Sequence, residues 1–339
     1  MTFLSVLDQS PVQAGGTPET AILETVKLAQ LVDKLGYRRY WVAEHHASDG
    51  LAGAAPEMLV GQIAARTENI RVGSGGVMLS HYSPLKVAET FRLLETFYPD
   101  RIDLGIGRAP GSDQRTAQAL AYGQTPRGPD VYPNQVQDLI ALLGEGLPSD
   151  HPFTGIQASP QMDHSPQLWM LGSSDQSAQL AAHFGTPYSF AHFITDESGP
   201  AMMRTYQMHF QPSALLAKPQ GSIGVFVICA DTEEEAKRLS ASRDLWRVRL
   251  DLGQVGPVPT LDEALAYQYS DVELQRRDYH RRRNIIGAPE QVKAALEELL
   301  AKYRVDEAVV VTITHDYAAR ARSYELLAEV FADNNENEA

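Results

Sequence analysis

Short apolar runs alternate along this chain with longer stretches in which apolar residues recur at helical spacing. Leu4 to Leu7 reads as a buried strand ending in Asp8-Gln9-Ser10-Pro11. Thr17 with Pro18 marks a capped helix start, with Ile22, Val26 and Ala29 on one face and Leu35-Gly36 as its close. Tyr40 to Glu44 is the next strand, and Pro56 opens a helix carrying Leu59 and Ile63. Ile70 to Leu79 is a third strand with a glycine-rich end, Ser83-Pro84 starts a helix running to about Phe97, and Ile102 to Arg108 is a fourth strand. On that strand Ile102, Leu104 and Ile106 share one face, and Asp103, Gly105 and Gly107 share the other.

The rhythm continues with a helical stretch around Val136 to Leu143, then Leu168 to Leu171, a helix from Asp175 to Phe184, and a strand from Pro187 to Phe193. Met202 to Phe210 is helical, Ile223 to Ala230 is a strand, and Thr232-Glu233-Glu234-Glu235 has the form of a capping box opening a long helix. A helix from Pro289 to about Tyr303, a strand from Ala308 to Ile313 and a helix from Asp316 to about Phe331 complete the chain. Strand–helix alternation repeated about eight times predicts an α/β protein, a single (β/α)8 TIM barrel over residues 1–332. A doubly wound open sheet is the alternative, because strand order is not written in the pattern. Residues 144–167 read as an inserted loop, 251–285 as an excursion that closes the mouth, and 333–339 as a disordered tail.

Charge and composition narrow the function. The net charge of −14 removes support for nucleic acid or an anionic membrane surface as a partner. No apolar run is long enough to span a bilayer, and the N-terminus lacks the basic start of a signal peptide. The only cysteine, Cys229, sits in an apolar run and reads as a buried thiol; together these features point to the cytoplasm.

The chemistry gathers at strand ends. Tyr40-Trp41-Val42-Ala43 leads into Glu44-His45-His46, and a loop of small residues follows. Three adjacent residues of an extended chain cannot converge on one metal ion, and adjacent side chains face opposite ways, so one histidine faces the mouth. An imidazole there suits general acid–base work; the plainer reading is a strand-end histidine capped by backbone. Arg108 follows the fourth strand, as an anion ligand or as a solvated charge. Gly172-Ser173-Ser174 with Ser177 stands at a helix N-terminus, where the serines are either plain caps or part of a phosphate site. The ends of the last two strands, where barrels more often hold phosphate, offer little for it. Gly73-Ser74-Gly75-Gly76 lacks the dinucleotide spacing and reads as tight packing or as close backbone approach to a flat ligand. The arginine-rich stretch 276–283 reads first as a solvated helix face, and second as a cover over an anionic ligand.

In this order and spacing the motifs resemble the bacterial luciferase-like flavin monooxygenases over essentially the whole chain. The resemblance rests on Trp41 to His46, Val72 to Val77, Ser83-Pro84, Arg101 to Arg108, Gly172-Ser173-Ser174 and Gly287-Ala288-Pro289-Glu290. Leu7 to Pro11 and Arg108-Ala109-Pro110-Gly111 are similar to an uncharacterised branch. The resemblance implies that His45 is the catalytic histidine and that Gly75-Gly76 is a cis peptide behind the flavin ring, beside Ser74. It implies that Arg108, Gly172, Ser173, Ser174 and Ser177 hold the flavin phosphate. Two positions depart from luciferase, which has a cysteine where Gly107 stands and a glutamate where Ser173 stands. Both departures weaken the inference from the resemblance to light emission or aldehyde oxidation and leave flavin binding intact. The implied activity is monooxygenation of a small organic substrate by reduced FMN from a separate reductase and O2, in a homodimer without metal. A deazaflavin-dependent dehydrogenase and a non-catalytic flavin binder are the alternatives. Gln9, Met78 and His192 are further expectations for the substrate pocket.

Overall fold

The computed structural model describes residues 1–108, 113–122 and 130–332. Ala109-Pro110-Gly111 and the expected tail 333–339 lie outside the described residues. The elements are β1 (Phe3–Asp8), α1 (Pro18–Lys34), β2 (Arg39–Val42), α2 (Pro56–Ala64), β3 (Arg71–Met78), α3 (Pro84–Phe97), β4 (Ile102–Gly107), α4 (Gln114–Leu120), α5 (Tyr132–Leu143), β5 (Gln167–Gly172) and α6 (Asp175–Phe184). They continue with β6 (Tyr188–Ala191), α7 (Gly199–His209), β7 (Gly221–Cys229), α8 (Glu233–Asp251), α9 (Leu261–Ala266), α10 (Asp271–Arg281), β8 (Asn284–Gly287), α11 (Pro289–Tyr303), β9 (Glu307–Val311) and α12 (Tyr317–Ala332).

Strands β1 to β7 pair in sequence, β7 pairs with β9, and β9 pairs back onto β1, all parallel. This is the expected closed eight-stranded barrel; an open doubly wound sheet would leave two edges. β8 is a ninth, short strand. It pairs with Phe226–Cys229 of β7, beyond the residues where β6 contacts β7. The residue pattern does not announce β8, α4 or α9, because each is short and carries little apolar periodicity; α10 contains most of the stretch 276–283 that reads as a helix face.

Alternation of side chains builds two cores. Ile102, Leu104 and Ile106 of β4 face outward into a large core shared with the covering helices. Leu7, Trp41, Trp169, Phe226, Val309 and Val311 face inward and form a second core inside the barrel. Each large apolar side chain buried this way contributes about 1.5–3 kcal/mol. The helices start where the caps predicted: Thr17 accepts from the Thr20 amide and Thr232 from the Glu235 amide, each cap contributing about 1 kcal/mol. Ser83 caps nothing, and Pro84 alone sets the entry of α3. Among the described residues no helix is long and apolar enough to cross a membrane.

The floor of the barrel is ionic. Arg39 donates to Glu307 (2.6 Å) and to Asp103 (2.7 Å); Arg71 and the Trp41 indole also donate to Asp103, and Ser5 donates to Glu307. Trp41 packs edge-on against Trp169 above this network, with ring centroids 5.2 Å apart. The interior of the barrel is thereby plugged at its N-terminal end.

Candidate active site

At the C-terminal end of the barrel lies a cavity of about 330 Å3, walled mainly by apolar and small residues and within the size range of ligand sites. Glycine makes the room. A Cβ on Gly105 would stand 2.1 Å from the Ser74 carbonyl oxygen, and one on Gly76 would stand 2.6 Å from the Gly105 oxygen, so β3 and β4 approach more closely than any side chain permits. A Cβ on Gly107 would meet nothing within 4 Å: that position opens directly on the cavity. The Gly75–Gly76 peptide is cis, as the resemblance implied, and both glycines line the wall.

His45 enters the cavity from the chain just beyond β2, which ends at Val42 rather than at Glu44. Its amide donates to the Gly53 carbonyl, while its Nδ1 is buried with no hydrogen-bond partner among the described residues. Burial, helped by the neighbouring His46, pushes the His45 pKa down to about 4, so the ring is neutral at neutral pH. The adjacent residues have a different task. Glu44 accepts from the Met78 amide (2.9 Å), the Tyr82 hydroxyl (2.7 Å) and the His46 ring (2.7 Å). This carboxylate ties the end of β2 to the end of β3, and so fixes the backbone from which His45 projects. Tyr82 was not singled out in the sequence, since a tyrosine after a strand end carries no pattern of its own.

Across the cavity Arg108 leaves the end of β4 and hydrogen-bonds Gln176 in the first turn of α6. Ser174 is the N-cap of α6 and forms a reciprocal box with Ser177. Both readings of the serines therefore meet: the hydroxyls cap their own helix, and that helix points its N-terminus at the cavity beside an arginine. Gly172 is forced, since a Cβ there would lie 2.4 Å from the Ser177 hydroxyl. The buried Tyr132 hydroxyl, on α5, has no partner among the described residues and lies within electrostatic reach of Arg108.

The structure thus brings His45, Gly75, Gly76, Arg108, Gly172, Ser173, Ser174 and Ser177 to one cavity, with Gln9 and Met78. Two expected residues are elsewhere. Ser74 is fully buried and donates to the Gly105 carbonyl (2.8 Å), because it points away from its cavity-lining neighbours. His192 is buried with its Nδ1 2.9 Å from the Tyr303 hydroxyl, and it does not line the cavity. The reading missed Leu7, Trp41, Leu171 and Phe193 as lining residues. Inward alternation on β1, β2 and β5 was the signal for the first three. The arginine-rich stretch is for the most part the expected solvated helix face, with Asp278, Tyr279, Arg281 and Arg282 exposed, while His280 and Arg283 turn inward and are buried. Among the described residues no cluster of metal-ligating side chains forms. A larger hollow, about 460 Å3, lies beside α3 and the 144–167 loop. It is away from the strand ends, and its Arg92 donates to the carbonyls of Leu142, Leu143 and Pro160.

Comparison with known proteins follows the same lines. A family model described as luciferase-like monooxygenase matches residues 1–307. The uncharacterized protein YceB of Bacillus subtilis (strain 168) is 46% identical, covering 98% of this chain and all of the relative. N-acetyl-S-alkylcysteine monooxygenase of the same organism is 36% identical, covering 97% and 98%. The crystal structure of apo-MsnO8 superposes with a TM-score of 0.89 at 41% identity, covering 98% of this chain and 99% of that one.

Proposed function

The chain belongs to the luciferase-like monooxygenase family, and on that premise we propose that it is an FMN-dependent monooxygenase acting on a small organic substrate with O2. One observation carries the reading. A single cavity joins a glycine wall on β3, a neutral histidine with an unmet ring nitrogen, and an arginine at a helix N-terminus. Those are the three fittings that a flat, phosphate-bearing cofactor needs: a surface without side chains, a polar group at the reacting edge, and an anion site.

Gly75 and Gly76 would receive the ring, and Arg108 with the N-terminus of α6, including Ser173, Ser174 and Ser177, would hold the phosphate. When bound, reduced FMN supplies the electrons that activate O2. The imidazole of His45, neutral at neutral pH, would take or give a proton on the reacting side. Glu44 keeps His45 in place through its bonds to Met78, Tyr82 and His46. Leu7, Trp41, Leu171 and Phe193 exclude water. The chain has no G-x-G-x-x-G turn for a nicotinamide dinucleotide, and this supports delivery of already reduced flavin by a separate reductase. Met58 on α2 and Leu93 and Phe97 on the adjacent α3 are exposed apolar side chains, which supports a second copy of this chain as the partner.

The test is anaerobic titration with reduced FMN and with a reduced deazaflavin, followed by admission of O2. The reading expects tighter binding of FMN, flavin oxidation altered by the protein, and retained binding but changed oxidation in His45→Asn. Preference for the deazaflavin would favour hydride transfer without oxygen. Unchanged oxidation in His45→Asn would leave a flavin binder.

A further inference from the structure

The second half of α8 and the excursion that follows it gather positive charge in an otherwise acidic chain. Arg243, Arg247, Arg277, Arg281 and Arg283 lie within electrostatic reach of one another or of Asp244. Three of them have carboxylate partners: Arg281 with Asp244 (2.6 Å), Arg247 with Asp251 (2.9 Å) and Arg277 with Asp278 (2.9 Å). The other two are the most deeply placed. Arg243 is 3% exposed and Arg283 is 4% exposed. Nε and Nη1 of Arg243 and Nε of Arg283 are buried with no hydrogen-bond partner among the described residues, and both side-chain atoms of Asn284 are in the same condition. Arg243 Nη1 is 3.8 Å from Asp244 Oδ1, too far for a hydrogen bond. Arg283 spends its other nitrogens on the Ile194 carbonyl and on His280. Burial among like charges pushes the pKa of Arg243 down to about 10.

Arginines that serve the fold of this protein look different. Arg39 bonds two carboxylates, Arg92 bonds three carbonyls, and Arg320 bonds Asp8 and the Thr312 carbonyl. A buried guanidinium with unmet donors is costly to the folded state, and such groups are kept where a ligand supplies the acceptor.

Arg243 and Asn284 do not line the active-site cavity; with Phe226 and Val311 they wall a separate, closed space with no water-sized volume, and this space adjoins the cavity. Gly224 of β7 and Val309 of β9 line the cavity and pair with each other, and the next inward pair up the same two strands is Phe226 with Val311. That pair stands roughly 7 Å further toward the mouth at strand rise. The Arg243 guanidinium lies on the Phe226 ring, 4.0 Å from its centroid, and Phe226 packs edge-on against the cavity-lining Phe193. Ile194, whose carbonyl receives Arg283, is also a cavity residue. Arg108 and α6 follow β4 and β5, so this second cationic group stands after β7, apart from the proposed phosphate site.

We propose that Arg243 and Arg283, with the Asn284 amide, form a subsite for a carboxylate or similar oxyanion of the substrate, which is therefore a small organic acid. The guanidinium forks match the two oxygens of such a group; because the space beside Arg243 is closed, the proposal requires Phe226 to swing aside to admit it. Calling the ligand a substrate rests on the monooxygenase reading; the anion site itself does not.

The experiment is calorimetric titration of the full chain, without flavin and at fixed ionic strength, with hexanoate and with hexanamide. Hexanoate is expected to bind at least tenfold more tightly. Arg243→Met and Arg283→Met should each erase that preference, and Arg108→Ala should keep it. Arg243→Met should melt close to the parent, since what it removes is a ring contact with Phe226 and a 3.8 Å approach to Asp244 rather than any hydrogen bond of Nε or Nη1; a purely structural arginine would give a lower melting point and an unchanged preference. Equal binding of acid and amide by the parent overturns the proposal even if no variant folds. Loss of the preference in Arg108→Ala, but not in Arg243→Met, assigns the anion to the phosphate site and overturns it as well. Reduced-flavin binding is read separately, so either result stands without the other.

Discussion

Arg39 at the floor of the barrel and Arg243 and Arg283 toward its mouth carry the same guanidinium in opposite circumstances. At the floor, Arg39, Arg71, Asp103 and Glu307 bond one another and Trp41 and Ser5 add to the set; Glu307 Oε2 makes no hydrogen bond among the described residues but stands 3.5 Å from the Arg38 guanidinium. At the mouth, His45 Nδ1 and the Arg243 and Arg283 donors are buried without partners among the described residues. Partnered charge at the N-terminal end holds strands together, whereas unmet valence at the C-terminal end waits for a ligand. The glycines show the same division: Gly105 is locked against the neighbouring backbone, and Gly107, two residues on, faces open space.

Removing a floor partner gives the largest expected effect. Asp103→Ala strands the buried Arg39 beside a lost acceptor and should destabilise the protein by about 3–5 kcal/mol, read as a lowered urea midpoint. At the mouth, Arg108→Ala should leave that midpoint unchanged and cost about 1.5–3 kcal/mol of FMN affinity, the worth of a charged hydrogen bond. Riboflavin, which has no phosphate, should bind the variant and the parent alike. If Arg108→Ala melts the protein instead, the division between the two ends fails.

Gly105→Ala against Gly107→Ala sharpens the contrast on one strand. The first forces backbone apart and should cost about 1–3 kcal/mol of stability, while the second should cost less than about 0.5 kcal/mol. The smallest effect is in pH. Burial lowers the His45 pKa to about 4, so the unfolded chain binds more protons between about 4 and 6.5. The stability that His45 contributes as a neutral ring is complete above pH 6.5 and declines as pH falls through that window. For activity, the acid limb of kcat/KM should lie near pH 4, with no inflection near 6.5 from this residue.

The barrel was legible because burying one face of each strand and one stripe of each helix writes a period into the residues. His45, Arg108 and the Gly172–Ser177 turn were legible because ionisable groups and small residues interrupt that period at strand ends. Ser74 and His192 do not line the cavity for one physical reason: nearness in sequence to the site does not say which way a side chain points. Ser74 sits beside two cavity glycines yet turns to the Gly105 carbonyl, and His192 turns to Tyr303.

The sequence by itself determined the alternation of elements, the caps, and the strand-end groups, all of which depend on neighbours within a turn or two of the chain. Only the tertiary structure decided that β9 closes on β1, that β8 pairs with the far half of β7, and that Glu44 rather than His46 holds the strand ends together. It also decided which arginines are satisfied. Arg281 and Arg283 are two residues apart in one basic run, yet Arg281 finds Asp244 on α8 while the Nε of Arg283 finds no acceptor. Pairing of buried charge depends on groups brought together from distant parts of the chain, and no local pattern records it.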